Sequence, residues 1–353
     1  MNNTEKSYNF EYPAPAVDPE VVRFNEEKKQ LRGTCNTVGL MMLIAIAVFF
    51  TFSMIVAMIY YILLGTGTLP SHLDSIPENI IGGLANVAAI GICGIVFIKL
   101  SKMKMSDVLV FEKINARRLL AVVVIGFTGC MVANLLDNLF LSNTYSLGID
   151  LYLDYESPVS NSFLEIVVYF IATAIVPAFS EEILFRGAVL GSLRKYGDAF
   201  AIFVSSALFG LFHANFEQIP FAFIVGLIDS WAVVYTNSML PAIIIHAANN
   251  GFSVICDVIY TNADALGISE TTVDSLYFIF VAIVAVLAIF AIIRISRNDK
   301  NFMKFKGYDG ILDRKTRTKM LVTSPTIIIS IVMLLAETYL IIYRFKLWTD
   351  MTL

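Results

Sequence analysis

The sequence predicts an all-α fold, a polytopic bundle of eight or nine transmembrane helices. Hydrophobic residues make up 57% of the 353 residues and charged residues only 15%, a composition typical of membrane proteins rather than soluble domains. Apolar runs long enough to cross a bilayer recur along the chain. Lys and Arg are sorted into alternate connecting segments, as expected for a chain that crosses a membrane repeatedly.

Nine apolar runs have the length of membrane spans. The fifth and sixth are short and nearly contiguous, so their boundaries are the least defined. The runs lie at about 37–64, 80–100, 119–140, 163–190, 198–216, 219–237, 240–260, 275–295 and 321–343. We therefore divide the chain into a polar leader (1–36), a transmembrane helical domain (37–343) and a short C-terminal tail (344–353).

The distribution of positive charge predicts the sides of the membrane. The leader and the segments 101–118 and 296–320 are rich in Lys and Arg, whereas 65–79, 141–162 and 261–274 contain neither. The positive-inside rule places the N-terminus in the cytoplasm and, with nine spans, the C-terminus outside. No signal-peptide-like segment opens the chain, so we expect an uncleaved multi-pass protein of the cell (plasma) membrane.

Two carboxylates and an arginine lie in the fourth apolar run, in the stretch SEEILFR. Ionisable side chains are costly inside a bilayer and are functional candidates by default. Glu182 and Arg186 are four residues apart, so on an α-helix they share a face and can form an ion pair. Glu181 points about 100° away from Glu182 and lacks this local partner. Either both glutamates belong to one stabilising network, or Glu181 is a general base.

Two of the three histidines lie in later apolar runs. His213 follows Phe209 by four residues in LFGLFHANF, and His246 and Asn250 share a helix face in HAANN. A lone histidine in an apolar helix is usually a hydrogen-bonded core residue, but its combination with the carboxylates is more specific. Asp229 lies near the middle of another run and is a candidate for lining the same cavity.

Glutamate, two histidines and an asparagine are compatible with three kinds of chemistry. In hydrolysis, a carboxylate deprotonates water, a histidine moves protons and a His–Asn pair stabilises an oxyanion. In a metal site, Glu181, His213 and His246 would bind a divalent ion such as zinc from three helices, since the H-E-x-x-H spacing is absent. In a transporter, the same groups would relay protons or ions.

The order of these motifs resembles that of a known family. E-E-x-x-x-R (Glu181–Arg186), F-x-x-x-H (Phe209–His213) and H-x-x-x-N (His246–Asn250) follow one another within about residues 160–260. The set is similar to that of the CPBP intramembrane endopeptidases (CAAX protease and bacteriocin-processing, or Abi, family). The resemblance covers less than a third of the chain, so we expect the catalytic core at about 160–260. Family cores usually have eight helices, which would make a ninth helix an accessory span.

The resemblance implies an endopeptidase with a catalytic chamber inside the membrane that opens to the cytoplasm. The family's functional positions correspond to Glu181, His213, His246 and Asn250 as catalytic residues, with Glu182 and Arg186 in support. In the family, the first glutamate activates water and the last His–Asn pair forms the oxyanion hole.

The implied partners are the lipid bilayer and a protein or peptide substrate, lipidated in some members and of CAAX type or bacteriocin/pheromone type. No nucleic-acid partner is expected. One description of the family is that of a metalloprotease, which implies a divalent metal such as zinc as cofactor. The other description is a glutamate mechanism without a metal, which implies no cofactor.

Two other classes of protein remain open at this point. A non-catalytic membrane protein of the same fold, such as an immunity or scaffold protein, would use these polar side chains only to hold helices together. Its function would survive Glu181→Gln. A transporter would be expected to show inverted repeats, and none is visible in the sequence.

Overall fold

The structure, a computed structural model, describes residues 18–66, 75–149, 151 and 162–352. Within these ranges the chain is helical apart from its connecting segments and one isolated β-bridge between Phe111 and Ser238. Eight of the helices are long and apolar enough to cross a membrane. The all-α polytopic bundle of eight or nine spans is therefore confirmed.

The first four long helices precede the connection at Gly197. α1 spans Pro19–Gly65 and α3 spans Ala116–Ser146. α2 consists of Ser75–Asn86, a π-helical stretch Val87–Ile92 and Cys93–Leu100. α4 runs from Phe163 to Tyr196 and includes two π-helical stretches, described below with the site.

Six helices follow Gly197 in the described chain, and a four-residue helix, Met105–Val108, lies between α2 and α3. The six are α5 (Asp198–Phe212), α6 (Ile219–Thr236), α7 (Leu240–Thr261), α8 (Glu270–Asn298), α9 (Arg314–Val322) and α10 (Pro325–Thr352). The eight membrane-length helices are α1 to α4, α6 to α8 and α10.

The fifth predicted span, 198–216, ends earlier than expected. α5 has 15 residues and stops at Phe212, so it is only about 22 Å long at 1.5 Å per residue. Ala214 adopts a left-handed conformation with φ of +47°, which an α-helix cannot continue through. His213 is consequently the C-cap of a short helix and does not lie at the outer end of a full span.

The domain boundaries drawn from the sequence stay a prediction. α1 begins at Pro19, inside the leader assigned to 1–36, and α10 continues into the tail assigned to 344–353. Residues 1–17 of the leader and Leu353 of the tail lie outside the described residues.

Contacts between the helix ends gather the basic segments on one side of the bundle. Arg32 of α1 donates to the Thr323 hydroxyl at 2.8 Å, and Arg194 at the end of α4 donates to Asn237 Oδ1 at 3.0 Å. Tyr235 at the end of α6 donates to Asp299, just after α8, at 2.8 Å. The charge alternation in the sequence thus corresponds to one shared face, although its cytoplasmic location remains a prediction.

α1 packs closely against α10 around Gly39. A Cβ atom built on Gly39 would lie 2.4 Å from the backbone nitrogen of Ile327. The hydroxyl of Ser330 donates to the Gly39 carbonyl at 2.9 Å, and that of Thr326 donates to the Asn36 carbonyl at 2.7 Å. Small residues of this kind allow two helix backbones to approach and to exchange hydrogen bonds.

We expect Gly39→Ala to lower the apparent unfolding temperature, because the methyl group would meet backbone that cannot move aside. Overpacking of this kind costs about 1–3 kcal/mol. Gly33→Ala is the matched control, since no atom lies within 4 Å of a Cβ at Gly33, on the same helix. That control should be neutral or stabilising, because alanine favours a helix over glycine by about 1 kcal/mol. Thermal unfolding of both variants in detergent measures the difference, and equal midpoints would contradict the prediction.

Candidate active site

Two π-helical stretches flank the carboxylates of α4. They are Ile171–Ile175 and Ile183–Leu190, on either side of the α-helical segment Val176–Glu182. Pro177 lies at the start of that segment and has no N–H to donate to the Thr173 carbonyl four residues earlier. π-Helical interruptions of α-helices are rare and frequently occur at functional sites.

The predicted pairing of Glu182 with Arg186 is present. Arg186 Nη1 lies 2.9 Å from Glu182 Oε1, and both side chains are fully buried. A second carboxylate shares the guanidinium, because Arg186 Nη2 lies 3.4 Å from Asp229 Oδ2 on α6. The guanidinium carbon also lies 4.3 Å from the centre of the Phe209 ring. Asp229 is therefore a partner of Arg186 and not a cavity-lining residue as expected from the sequence.

His246 on α7 lies between the two glutamates. Its Nδ1 is 3.0 Å from Glu182 Oε1, and its Nε2 is 3.8 Å from Glu181 Oε2. A Glu182 carboxylate paired with Arg186 is an acceptor, so it favours the tautomer in which Nδ1–H donates to it. Glu182 thereby fixes the orientation of the imidazole and directs its Nε2 toward Glu181.

One imidazole contacts both glutamates although their side chains leave the helix in different directions. Neighbouring residues on an α-helix point about 100° apart, and a ring that lies between these two directions is within reach of both long side chains. The described contacts of Glu181 are with His246 and Asn86 and not with Arg186, so the expectation that Glu181 points away from the internal pair stays a prediction compatible with the structure.

Glu181 has a second polar partner on α2, Asn86. Asn86 Nδ2 donates to Glu181 Oε1 at 3.0 Å. The amide is itself oriented by Ser180, whose hydroxyl donates to Asn86 Oδ1. Asn86 reaches α4 because α2 is glycine-rich where they meet: a Cβ on Gly91 would lie 3.2 Å from Ser180 Cβ. One carboxylate oxygen of Glu181 is thus fixed by Asn86, and the other faces His246.

His213 and Asn250 line a separate cavity of about 370 Å³. His213 Nδ1 lies 3.0 Å from the Phe209 carbonyl. A carbonyl oxygen can only accept, so Nδ1 carries the proton of this hydrogen bond and Nε2 is left for other contacts. Asn250 Nδ2 donates to the Thr173 carbonyl at 3.2 Å. This is the carbonyl to which Pro177, without an N–H, cannot donate a hydrogen bond.

The four predicted catalytic residues therefore form two pairs. Glu181 and His246 belong to the buried charged network, whereas His213 and Asn250 belong to the lining of the cavity. The pairs are adjacent, since Asn250 follows His246 by about one turn of α7 and Phe209 separates the two imidazoles. The centre of its ring is 5.0 Å from that of His213 and 5.9 Å from that of His246. Glu181 has no contact with His213 among those described.

The donor atoms do not fit the predicted metal site. Among the described residues, the histidine, cysteine and carboxylate ligand atoms that lie within 4.8 Å of one another belong to Glu182, Asp229 and His246. The predicted set of Glu181, His213 and His246 is not brought together in this way. The guanidinium of Arg186 already contacts both carboxylates of the compact set. A cation there would lie against a positive charge, so we derive no step through a metal.

Sequence reasoning missed Asn86 and the true role of Asp229. A polar amide in an apolar segment is a weak signal, and Asn86 lies 95 residues before Glu181, so no helical periodicity connects them. The signal for Asp229 was stronger. A carboxylate near the middle of an apolar run needs a positive partner, and Arg186 is a cation that lies in another apolar run.

We expect Asn86→Ala to lower the activity of this site about tenfold without unfolding the protein. It removes one hydrogen bond to Glu181, worth about 0.5–1.5 kcal/mol, and 1.4 kcal/mol corresponds to a factor of ten. Asn138→Ala, at an exposed amide on α3, is the control. Rates and unfolding midpoints are measured together. A loss of rate that follows a loss of stability would assign Asn86 to folding alone.

Fold and site together define the class: a multi-pass membrane protein with a buried network of carboxylates, an arginine and a histidine beside a polar cavity. Residues 163–252 match the family model described as "Type II CAAX prenyl endopeptidase Rce1-like". A curated relative, "Membrane-embedded CAAX protease MroQ" of Staphylococcus aureus (strain USA300), is 33% identical over 124 residues. The segment 163–252 that matches the family model contains the three motifs on which the resemblance to the CPBP endopeptidases rests.

Both matches cover only part of the chain. The aligned segment is 33% of this chain and 49% of the relative, so the chain spans about half the length of the curated relative that it matches. No solved structure matches the chain. The matched segment 163–252 contains all the motif residues, among them Glu182, His246 and Asn250.

Proposed function

We propose that this protein is an integral-membrane endopeptidase that hydrolyses a peptide bond near the membrane, with Glu181 as the base that activates water. One observation carries the proposal. Glu181 Oε2 faces His246 Nε2 at 3.8 Å, while the other nitrogen of His246 is held by Glu182. A base, a histidine and a third group that orients the histidine are the arrangement that general acid–base catalysis requires.

In the proposed reaction, His246 acts together with Glu181. With Nδ1–H donated to Glu182, the Nε2 of His246 is free to accept a proton from the water or from Glu181. Arg186 pairs with Glu182 at 2.9 Å and thereby positions the carboxylate that orients the ring. This assignment differs from the family pairing of His246 with Asn250 in the oxyanion hole.

The cavity residues are proposed to act on the scissile carbonyl and the leaving amine. Asn250 uses one amide hydrogen on the Thr173 carbonyl and has a second to donate to an oxyanion. His213 has Nδ1 fixed on the Phe209 carbonyl, and its Nε2 is suited to protonate the leaving nitrogen. The cavity volume of about 370 Å³ lies within the range of about 300–1,000 Å³ typical of ligand sites.

The proposed substrate is a membrane-associated protein or peptide. The relative's name supports processing of CAAX type, and bacteriocin or pheromone peptides are the second candidates from the sequence motifs. We further propose that the protein lies in the plasma membrane with its N-terminus in the cytoplasm. The basic side of the bundle would then be cytoplasmic.

The deciding experiment incubates the purified protein in nanodiscs with membrane-anchored reporter peptides in ¹⁸O-labelled water. Mass spectrometry should detect two peptide fragments, with one labelled oxygen in the new C-terminal carboxylate, as hydrolysis requires. Activity should persist with a zinc chelator, because the donor set favours a metal-free mechanism. Loss of activity with the chelator and its return with zinc would overturn the metal-free mechanism. No cleavage of any reporter would favour the non-catalytic immunity or scaffold class.

A further inference from the structure

A groove separate from the candidate active site opens between α1, the end of α2 and the end of α4. It has a volume of about 470 Å³, within the range of about 300–1,000 Å³ typical of ligand sites. None of the residues that line it lines the cavity at His213 and Asn250. The groove lies outside the proposed catalytic machinery, so its function is independent of the proposed peptidase activity.

One end of the groove is polar and the rest is apolar. Thr34, Ser192 and Lys195 lie at the polar end, where Thr34 Oγ1 is 3.2 Å from the hydroxyl of Tyr196 at the end of α4. Ser101, just after α2, belongs to the same end, because α2 and α4 finish on the side where α1 begins. The wall away from this end is formed by Leu40 and Ile44 of α1 and by Ile92, Val96 and Phe97 of α2.

The polar end contains two groups without full partners. Ser101 Oγ is shielded from solvent and has no hydrogen-bond partner within the described part of the chain. Lys195 is exposed, and across the described residues no carboxylate lies within 4.0 Å of its ammonium group. Ser101 Oγ is therefore too enclosed to contact a bound group directly. Lys195 Nζ lies 5.0 Å from the centre of the Tyr196 ring, and an ammonium group without a carboxylate partner is suited to bind a phosphate oxygen.

The apolar wall is open toward the surface that faces the bilayer. Leu40 is 50% exposed, Ile44 48% and Val96 45%. A chain that enters from the side of the helix bundle can therefore reach the groove without crossing the protein. Water-soluble anions would fill only the polar end and leave this wall uncovered.

We propose that the groove binds a phospholipid with an anionic head group. Its phosphate lies at Lys195, and one acyl chain runs along Leu40, Ile44 and Val96. The basic side of a membrane protein is where pockets between helices bind anionic lipids, and each Lys or Arg near such a surface contributes about 1 kcal/mol. Lys99, Lys102 and Lys104 flank the same end in sequence and add to the positive field.

The test uses the delipidated full-length protein in detergent, titrated with phosphatidylglycerol or with phosphatidylcholine of the same acyl chains. Native mass spectrometry counts the lipid molecules retained. The wild-type protein should retain one phosphatidylglycerol more tightly than phosphatidylcholine. Lys195→Ala should weaken that retention about fivefold, the loss expected for one lysine. The control is Lys304→Ala, which removes the same charge from an exposed position in the basic segment 296–320.

A second variant tests the groove itself without a change of charge. Val96→Trp fills the apolar wall and should reduce retention of the tightly bound lipid as much as Lys195→Ala or more. Equal retention of the two lipids by the wild-type protein would overturn the proposal. It would also be overturned if Lys195→Ala behaved like Lys304→Ala, or if Val96→Trp bound phosphatidylglycerol as the wild type does.

Discussion

Glu181→Gln should lower the rate of peptide cleavage by about 10²–10⁴-fold, the usual contribution of a general base. Glutamine has nearly the same shape, and its side-chain oxygen can still accept the hydrogen bond from Asn86 Nδ2, now 3.0 Å from Glu181 Oε1. The change removes only the charge and the ability to take a proton from water. The unfolding midpoint should therefore stay at the wild-type value while the rate falls.

The matched control is Glu337→Gln on α10, a half-buried glutamate in a membrane-length helix away from the site. Both variants are compared with the wild type by cleavage rate and by thermal unfolding in the same nanodiscs. Full activity of Glu181→Gln would show that another group is the base. A fall in its unfolding midpoint together with its rate would favour the alternative in which both glutamates form one stabilising network.

Much of the architecture could be predicted from the sequence because the membrane imposes simple rules. A span needs a continuous apolar run, and positive charge sorts to one side, so eight or nine helices were expected. The Glu182–Arg186 ion pair was also predictable, since both residues lie on one helix four positions apart. These features depend on local spacing and composition alone.

The composition of the charged network could not be predicted, because it depends on contacts between distant helices. Asn86 contacts Glu181 from α2, and Asp229 contacts Arg186 from α6. His246 was predicted in the site, but its position between two carboxylates depends on how α7 packs against α4. The periodicity of apolar residues within one helix does not determine which face of another helix packs against it.

The end of α5 was mispredicted for a local reason. The apolar run continues to Phe216, but the chain leaves the helix after Phe212, and Ala214 has a positive φ. Hydropathy reports which residues avoid water and not which backbone conformation they adopt. The early end of α5 places His213 beside Phe209 and the cavity, and thereby close to His246.

Arg186→Leu should lower the free energy of unfolding by about 3–5 kcal/mol, the cost of breaking a buried ion pair from one side. Arg186 is the only cation that contacts Glu182 and Asp229 in the described network, and all three side chains are fully buried. Its loss leaves two carboxylates facing each other in an apolar interior. Activity should fall as well, because Glu182 would no longer be held where it orients His246.

Arg118→Leu is the control, since Arg118 pairs with Asp299 at 3.4 Å with side chains 41% and 28% exposed. Exposed pairs contribute about 0–1 kcal/mol. The pKa of Asp299 is lowered first by the backbone N–H of Asn301 and then by Tyr235, so this carboxylate keeps its main partners.

The variant Arg186→Leu/Glu182→Gln/Asp229→Asn, which removes the unpaired charges, should recover part of the stability but not the activity. If the triple variant unfolded as readily as Arg186→Leu, uncompensated charge would not be the cause of the loss, and the packing of the guanidinium on Phe209 would be the better explanation.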